Sequence, residues 1–380
     1  MIRKIPVSIY FMQEWWSKHY HVIHPRPEVV SDDNLEQMSV GRKQFLFEHL
    51  GQFGIGEESP KMDGSVANMV MSWQYELVSF LLGIKFEPIE AGGFNSIRYL
   101  NDEEVKKLTP IDLAKHPEGD WILKERDRKI KRYGRANYFF DLGSVINHGF
   151  YIRGQDIYVD LLINPGLKQH LFEAIIETER MAYRFFREAF PPSQTSSESV
   201  PISNCNVVMI SPETYEKEIF PFDAQQCLFG HELTGKAPDV FLHHCDVKVD
   251  SFIESYAKLP GISTLQASFE SDVSMIKKRL PRVSFSAMIS PAAMASDLDL
   301  LKKALVKVIL DGANDFAIWN IDPVLTPGKV AQLLETVSSA CTQAGCQATM
   351  AANHMCWEER EWAFPQYKSQ ASWGSKPWSL

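Results

Sequence analysis

From Tyr138 to about Ala351, short apolar runs alternate with amphipathic stretches of helical period, and this alternation limits the fold more than any other feature of the chain. The runs near Tyr138–Leu142, Val207–Ile210, Val240–His244, Thr264–Gln266, Arg282–Ala287, Asp315–Trp319 and Gln347–Ala351 have the length and the β-branched and aromatic content of strands. Between them Leu167–Glu188, Glu213–Leu228, Val249–Lys258, Val273–Arg279, Leu298–Leu310 and Lys329–Ala344 read as helices. Strands that alternate with helices cross over in parallel, so the chain is expected to be α/β with a parallel sheet. With at least six such units visible, a (β/α)8 TIM barrel is favoured over an open doubly wound sheet. No glycine-rich dinucleotide fingerprint or phosphate-binding Gly-Lys-Ser loop follows a strand, which counts against a nucleotide-binding fold.

The amino-terminal part reads differently. Residues 1 to about 60 are expected to form an irregular cap with one helix near Leu35–Leu50, and Val66–Leu82 has helical spacing with Gly83 as a stop. Asn101-Asp102-Glu103-Glu104 has the look of a helix start. The expected organisation is an amino-terminal helical or irregular cap over 1–110, the barrel over 111–365 and a tail over 366–380. His19-x-His21-x-x-His24 invites a metal reading, but Pro25 and Pro27 follow at once and a solvated loop fits better. The charged run Lys124–Arg132 alternates in sign, which describes a solvated helix face rather than a phosphate clamp. Pro191–Ser199 is a polar loop, the segment most expected to be disordered.

Composition narrows the function classes. A net charge of −9 argues against a general nucleic-acid surface. No apolar run is long enough for a membrane span and the first residues lack a signal-peptide core, so a cytoplasmic location is expected. Six cysteines without the dense spacing of small secreted domains suggest thiols or ligands rather than a disulfide framework.

Among those cysteines, Cys245 carries the most chemistry. In Phe241-Leu242-His243-His244-Cys245-Asp246-Val247, His243 and Cys245 are two apart on a strand and project to one side, with His244 turned away. Imidazole and thiolate are good zinc donors, and a pair leaves room for a third ligand and an exchangeable position. The same spacing also describes a core histidine beside an inert buried cysteine.

Four segments together resemble one family. Gly149-Phe150-Tyr151-Ile152-Arg153-Gly154-Gln155-Asp156-Ile157-Tyr158-Val159-Asp160-Leu161 with Asn164-Pro165 resembles a characteristic stretch of the uroporphyrinogen decarboxylase (URO-D) superfamily. Ile210-Ser211-Pro212-Glu213-Thr214-Tyr215 with Phe220-Pro221-Phe222 is similar to its Ser-Pro-Glu-x-Tyr motif. Leu242-His243-His244-Cys245-Asp246 is similar to the His-x-Cys-Gly motif of its corrinoid-dependent methyltransferase branch, and Ala317–Pro327 resembles that branch's late Cys-Gly segment. The matches run in family order between residues 140 and 345.

The resemblance implies a (β/α)8 barrel with its site at the carboxyl ends of the strands. It implies zinc held by His243, Cys245 and a later cysteine, and methyl transfer to or from the cobalt of a corrinoid. Since the chain shows no cobalamin-binding Asp-x-His-x-x-Gly loop, the corrinoid (cobalamin) is expected on a partner corrinoid protein. A small methyl donor, such as a methoxylated aromatic, or a small acceptor completes the reaction; Trp73, Tyr75, Phe80, Phe94 and Tyr99 are candidates for an aromatic lid, or for ordinary cap core. Whether the chain is a monomer or a dimer stays open. The family's third-ligand cysteine aligns with Trp319, so a replacement is expected: Asp322 first, then Cys356, with Cys341, Cys346 and His354 as further candidates. Asp246 stands where the family has glycine and is expected to take a catalytic or supporting part. The alternatives are a URO-D-type decarboxylase, whose arginine-rich amino-terminal segment is missing and whose remaining arginine candidates are Arg153, Arg98 and Arg135, and a metal-free barrel with a binding role.

Overall fold

The computed structural model describes residues 2–20, 32–62, 64, 72–73, 76–88, 94–136, 139–190, 199–245 and 247–354. Its strands are β1 (Arg3–Phe11), β2 (Ser72–Trp73), β3 (Phe86–Pro88), β4 (Phe94–Ser96), β5 (Phe139–Phe140), β6 (Val200–Ser203), β7 (Val240–His243), β8 (Ile262–Ser268), β9 (Ser284–Ile289), β10 (Asp315–Ile321) and β11 (Cys346–Ala352). Seven form one sheet in the order β11-β1-β10-β9-β8-β7-β6, and every ladder in it is parallel. β2 pairs with β5 in parallel and β3 with β4 in antiparallel fashion. The helices Val273–Arg279, Leu298–Leu310 and Pro327–Gln343 fall between consecutive sheet strands, as the alternation in the sequence requires.

The sequence reading of the amino terminus needs correction. Arg3–Phe11 is no part of a cap but lies inside the sheet, between β10 and β11. Ile5, Val7, Ile9 and Phe11 alternate into the core and are all 2% exposed or less. Pro6 obscures this pattern, because proline lacks a ladder donor and usually marks an edge. One missing hydrogen bond costs about 1 kcal/mol, whereas burying four large apolar side chains yields about 1.5–3 kcal/mol each. The side chains win. The position of β1 also departs from a singly wound barrel, in which the first strand lies between the last and the second.

A second correction concerns Val207–Ile210. The strand is Val200–Ser203 instead, and Asn206–Met209 makes a 3-10 turn in which only Val207 is buried and Met209 is 66% exposed. Pro201 hides this strand in the sequence as Pro6 hides β1. Within the expected helix Val66–Leu82, Val66–Met71 lie outside the described residues, Ser72–Trp73 are extended, and only Glu76–Leu81 is helical.

Elsewhere the elements follow their local signals. Asn101 caps Asp102–Val105 in a full capping box with Glu104. The charged run belongs to the helix Pro117–Tyr133, where Arg128 and the buried Lys129 both pair with Asp32, at 2.8 and 2.6 Å. They tie this helix to the first turn of Asp32–Leu50, so the run is only in part a solvated face. The segment Pro212–Gln226 is helical but holds a π turn over Tyr215–Ile219. Pro221 has no N–H for the preceding turn, which accounts for the widening. Pro191–Glu198 of the expected loop and residues 355–380, with the expected tail, are outside the described residues.

Candidate metal centre at the carboxyl rim of the sheet

The sheet's register builds the site. Ser203 pairs with His243, His243 with Gln266, Gln266 with Ser286, and Ser286 with Asp315. In-register neighbours project to the same side. One face therefore carries a polar row across five strands, while Ile202, Leu242, Leu265, Phe285 and Phe316 fill the opposite face and are 1% exposed or less. Two residues beyond Ser203 comes Cys205, and two beyond His243 comes Cys245. Equal offsets past paired positions bring the two thiols together, and the donor atoms of Cys205, His243 and Cys245 all lie within 4.8 Å of one another.

Cys205 and His243 are held from behind. Asn147, on the helix Val145–Arg153, gives its side-chain amide to the Ser203 carbonyl at 2.7 Å and accepts the Asn206 N–H at 2.9 Å, bracketing Cys205. His243 Nδ1 meets Gln266 Oε1 at 2.8 Å. The peptide N–H of Asn204 bonds to the His243 carbonyl and that of His244 to the Gln266 carbonyl, both at 2.8 Å, which extends the ladder into the loops. His244 is turned to the other side as expected: its Nδ1 meets the Tyr256 hydroxyl at 2.9 Å, and burial with the neighbouring His243 pushes its pKa down to about 4.

The electrostatics couple the three donors. Burial opposes protonation of His243, but Cys245, Gln266 and the Asp141 carboxylate outweigh it and raise its pKa. The Cys245 thiol is pushed well up, first by its hydrogen bond with Cys205 and then by burial. A divalent cation among two thiols and an imidazole would favour the thiolates and so oppose the upward push on Cys245. The donor set suits zinc, which takes sulfur and imidazole nitrogen in tetrahedral sites.

The third donor of this group is Cys205 and not Asp322. Asp322 Oδ1 accepts the Val324 N–H at 2.7 Å in a turn after β10, and the residue stands outside the three-donor group. Cys346 opens β11 and Cys341 is buried in the preceding helix, so both belong to the amino ends of the strands. The carbonyl of His354 accepts from Arg42 at 3.3 Å. Asp246 and Cys356 lie outside the described residues. Cys205 was readable only with the right strand: with Val207–Ile210 extended it falls at the wrong rim, and with Val200–Ser203 extended, Ser203-x-Cys205 runs parallel to His243-x-Cys245.

Trp319, where the resemblance put a cysteine, stands beside the site with its ring centroid 6.2 Å from that of His243. The register between β1 and β10 slips at this point, and Asn320 adopts φ 57°, a left-handed conformation that asparagine tolerates better than most residues. Tyr10 packs on Trp319 at 4.6 Å. The aromatic wall is therefore Tyr10 and Trp319. Of the expected lid, Phe80 packs on the core and Tyr99 is half exposed against Gly154, while Tyr75 and the side chains of Trp73 and Phe94 are not among the described groups.

The arginines a decarboxylase would need are committed elsewhere. Arg153 is buried and bound to Asp160 at 2.8 Å, Asp102 at 2.7 Å and the Leu100 carbonyl at 2.7 Å. Arg98 pairs with Glu104 at 2.9 Å, and Arg135 reaches the Gly64 carbonyl at 3.5 Å. In the histidine-rich segment, His19 meets the Pro323 carbonyl at 2.8 Å, and His21 and His24 lie outside the described residues.

No protein-family profile and no curated protein matches the chain. Among solved structures, a methyltransferase from Methanosarcina mazei is similar over 89% of this chain and 95% of its own, with a TM-score of 0.57 and 12% identity. At that identity the likeness is one of fold. It agrees with an α/β architecture around a parallel sheet, and no helix of the described residues is long and apolar enough to cross a membrane.

Proposed function

We propose that the protein is a zinc- and corrinoid-dependent methyltransferase of the URO-D type, in which Cys205, His243 and Cys245 hold the metal. The observation that carries this reading is the convergence of those three donors at the carboxyl rim of a parallel sheet. In α/β barrels that rim is where sites are built, and the fold shared with a methyltransferase supports the reaction class. The hydrogen bond from Ser203 N–H to the Gly143 carbonyl, at 3.2 Å, continues the sheet toward the β2-β5 pair and supports closure into a barrel.

Two sulfurs and one nitrogen make an electron-rich set. When bound there, zinc would lower the pKa of a substrate thiol and keep its sulfur nucleophilic at neutral pH, a better match to this set than polarising an ether oxygen. The proposed acceptor is accordingly a small thiol, and the methyl donor a corrinoid on a separate cytoplasmic protein. The chain's own contribution is positional. Asn147 fixes the Cys205 loop, Gln266 fixes the His243 ring, and Tyr10 with Trp319 form a wall beside the donors.

The test supplies zinc-loaded protein with methylcobalamin and 2-mercaptoethanol and follows the conversion of methylcobalamin to cob(I)alamin by absorbance. Methyl passes to sulfur as the cobalt–carbon bond breaks, and the electron pair stays on cobalt. Turnover that depends on His243 and Cys205 supports the reading. Zinc retention without methyl transfer to any small thiol would remove the thiol acceptor, and absence of bound zinc would remove the metal.

A further inference from the structure

The polar row on the sheet has a direction, and the direction is set at its far end. His243 Nδ1, Gln266 Oε1 and Nε2, Ser286 Oγ and Asp315 Oδ1 form one chain across β7, β8, β9 and β10. The contacts are 2.8 Å from His243 to Gln266 and 3.3 Å from Gln266 to Ser286, and the Ser286 hydroxyl donates closely to Asp315. All four residues stand in register on neighbouring parallel strands, so backbone pairing holds the spacing.

Counting protons along this chain leaves one solution. Burial raises the Asp315 pKa against the opposing bond from Ser286; once ionised, the carboxylate only accepts and takes the single hydroxyl proton of Ser286. The Ser286 oxygen is then free only to accept, and Gln266 must turn its amide N–H toward it. That orientation presents Gln266 Oε1, which also only accepts, to His243. Nδ1 of His243 must therefore carry the ring proton, and Nε2 the lone pair. Without the carboxylate, the side-chain amide of Gln266 satisfies a histidine equally well in either orientation.

We propose that Asp315 is a positioning residue which, through Ser286 and Gln266, fixes His243 in its Nδ1–H tautomer and so presents the Nε2 lone pair for binding. Asp315 opens β10, at the amino end of that strand, whereas Cys205 and Cys245 follow the carboxyl ends of β6 and β7; the stagger of the strands lets the two ends communicate without contact. Histidines that bind metals commonly donate their second N–H to an oxygen, and losing that partner weakens the metal roughly 10- to 100-fold. Here the oxygen belongs to a neutral amide, whose orientation needs the remote charge. The tautomer stands without the metal reading; only the use of the lone pair rests on it.

The test is nitrogen-15 NMR of the metal-free full chain labelled at histidine, at alkaline pH where imidazole is neutral, with His243 assigned by its loss in His243→Gln. Long-range proton–nitrogen couplings should show His243 as one tautomer with Nδ1 protonated. Asp315→Asn keeps the size but can donate or accept at Ser286, and should give a mixture of both tautomers with roughly 10- to 100-fold weaker zinc binding. Gln266→Glu in the Asp315→Asn background puts an acceptor-only group directly on Nδ1 and should restore the single tautomer. A wild-type His243 protonated at Nε2, or an Asp315→Asn protein with an unchanged tautomer, would overturn the proposal. The single Nδ1–H tautomer in a protein that binds no zinc would leave the positioning role standing and remove the metal centre.

Discussion

Two buried polar regions of this molecule use similar side chains and treat them in opposite ways. In the chain from His243 to Asp315, each hydrogen bond joins residues that stand in register on neighbouring strands, and each donor meets an acceptor. Behind it, around Glu179 and Asp223, acceptors outnumber donors: both Glu179 oxygens, Asp223 Oδ1, Asn204 Oδ1 and Gln226 Oε1 are buried without a hydrogen-bond partner among the described residues. Burial raises Asp223 to about 6 and Glu179 well above the usual carboxylate range. His148 Nε2 comes within 3.3 Å of Glu179 yet forms no ion pair, since it bonds to the Leu142 carbonyl at 2.6 Å and burial pushes its pKa down to about 4. The first region keeps an ordered lone pair for chemistry. The second removes charge by holding or refusing protons, and its consequence is a pH-dependent stability.

Substitutions should separate the two regions. The largest expected effect lies at the three donors: Cys205→Ser, Cys245→Ser or His243→Ala should each weaken zinc by roughly a thousandfold, about 4 kcal/mol, whereas Asp322→Ala should leave zinc in place. Metal content after dialysis against a graded chelator reads this directly. Equal loss in Asp322→Ala would move the third ligand to β10.

Next comes Asp223→Asn in the second region. Oδ2 of Asp223 accepts from Asn204 and from the Tyr215 hydroxyl, both at 2.8 Å, and an asparagine oxygen can do the same. A carboxyl raised from 3.8 to about 6 holds a proton in the folded protein that the unfolded chain has lost. Its contribution to stability is full below about pH 4 and is lost as the pH rises through about 6. The variant should therefore gain about 2–3 kcal/mol over the wild type above about pH 7, and little below about pH 4. His148 and His244, both held near 4, work in the other direction: the stability tied to their neutral forms is present above about pH 6.5 and lost as the pH falls through about 4. Denaturant unfolding across this range measures both slopes, and a parallel shift of the whole curve in Asp223→Asn would contradict the assignment.

The smallest effect is expected at Asn147, which brackets Cys205 through the Ser203 carbonyl and the Asn206 N–H. Asn147→Ala leaves the Ser203 carbonyl and the Asn206 N–H without their partner, which costs about 1–3 kcal/mol of stability. It should also loosen zinc by roughly tenfold through Cys205. A loss of stability with unchanged zinc affinity would show that the loop is held by other contacts.

How much of this could be read from the chain follows from the same physics. The parallel α/β arrangement and the strand Val240–His243 were legible because long runs of periodic apolar residues report burial directly, and the two-residue period put His243 and Cys245 together with His244 turned away. β1 and β6 were not. Each contains a proline, at Pro6 and Pro201, and each owes its conformation to tertiary burial that overrides a local signal. Missing β6 also hid Cys205, because a ligand placed by register needs both strands. Asp322 was attractive as the nearest carboxylate after Trp319, but a short aspartate in a turn satisfies its own backbone first.

X-ray absorption at the zinc edge of anaerobically purified protein tests the central claim most directly. The arrangement of Cys205, His243 and Cys245 predicts two sulfur neighbours at about 2.3 Å with nitrogen or oxygen neighbours at about 2.0–2.1 Å, falling to one sulfur in Cys205→Ser. A spectrum with a single sulfur in the wild type, or one unchanged in Cys205→Ser, would contradict it.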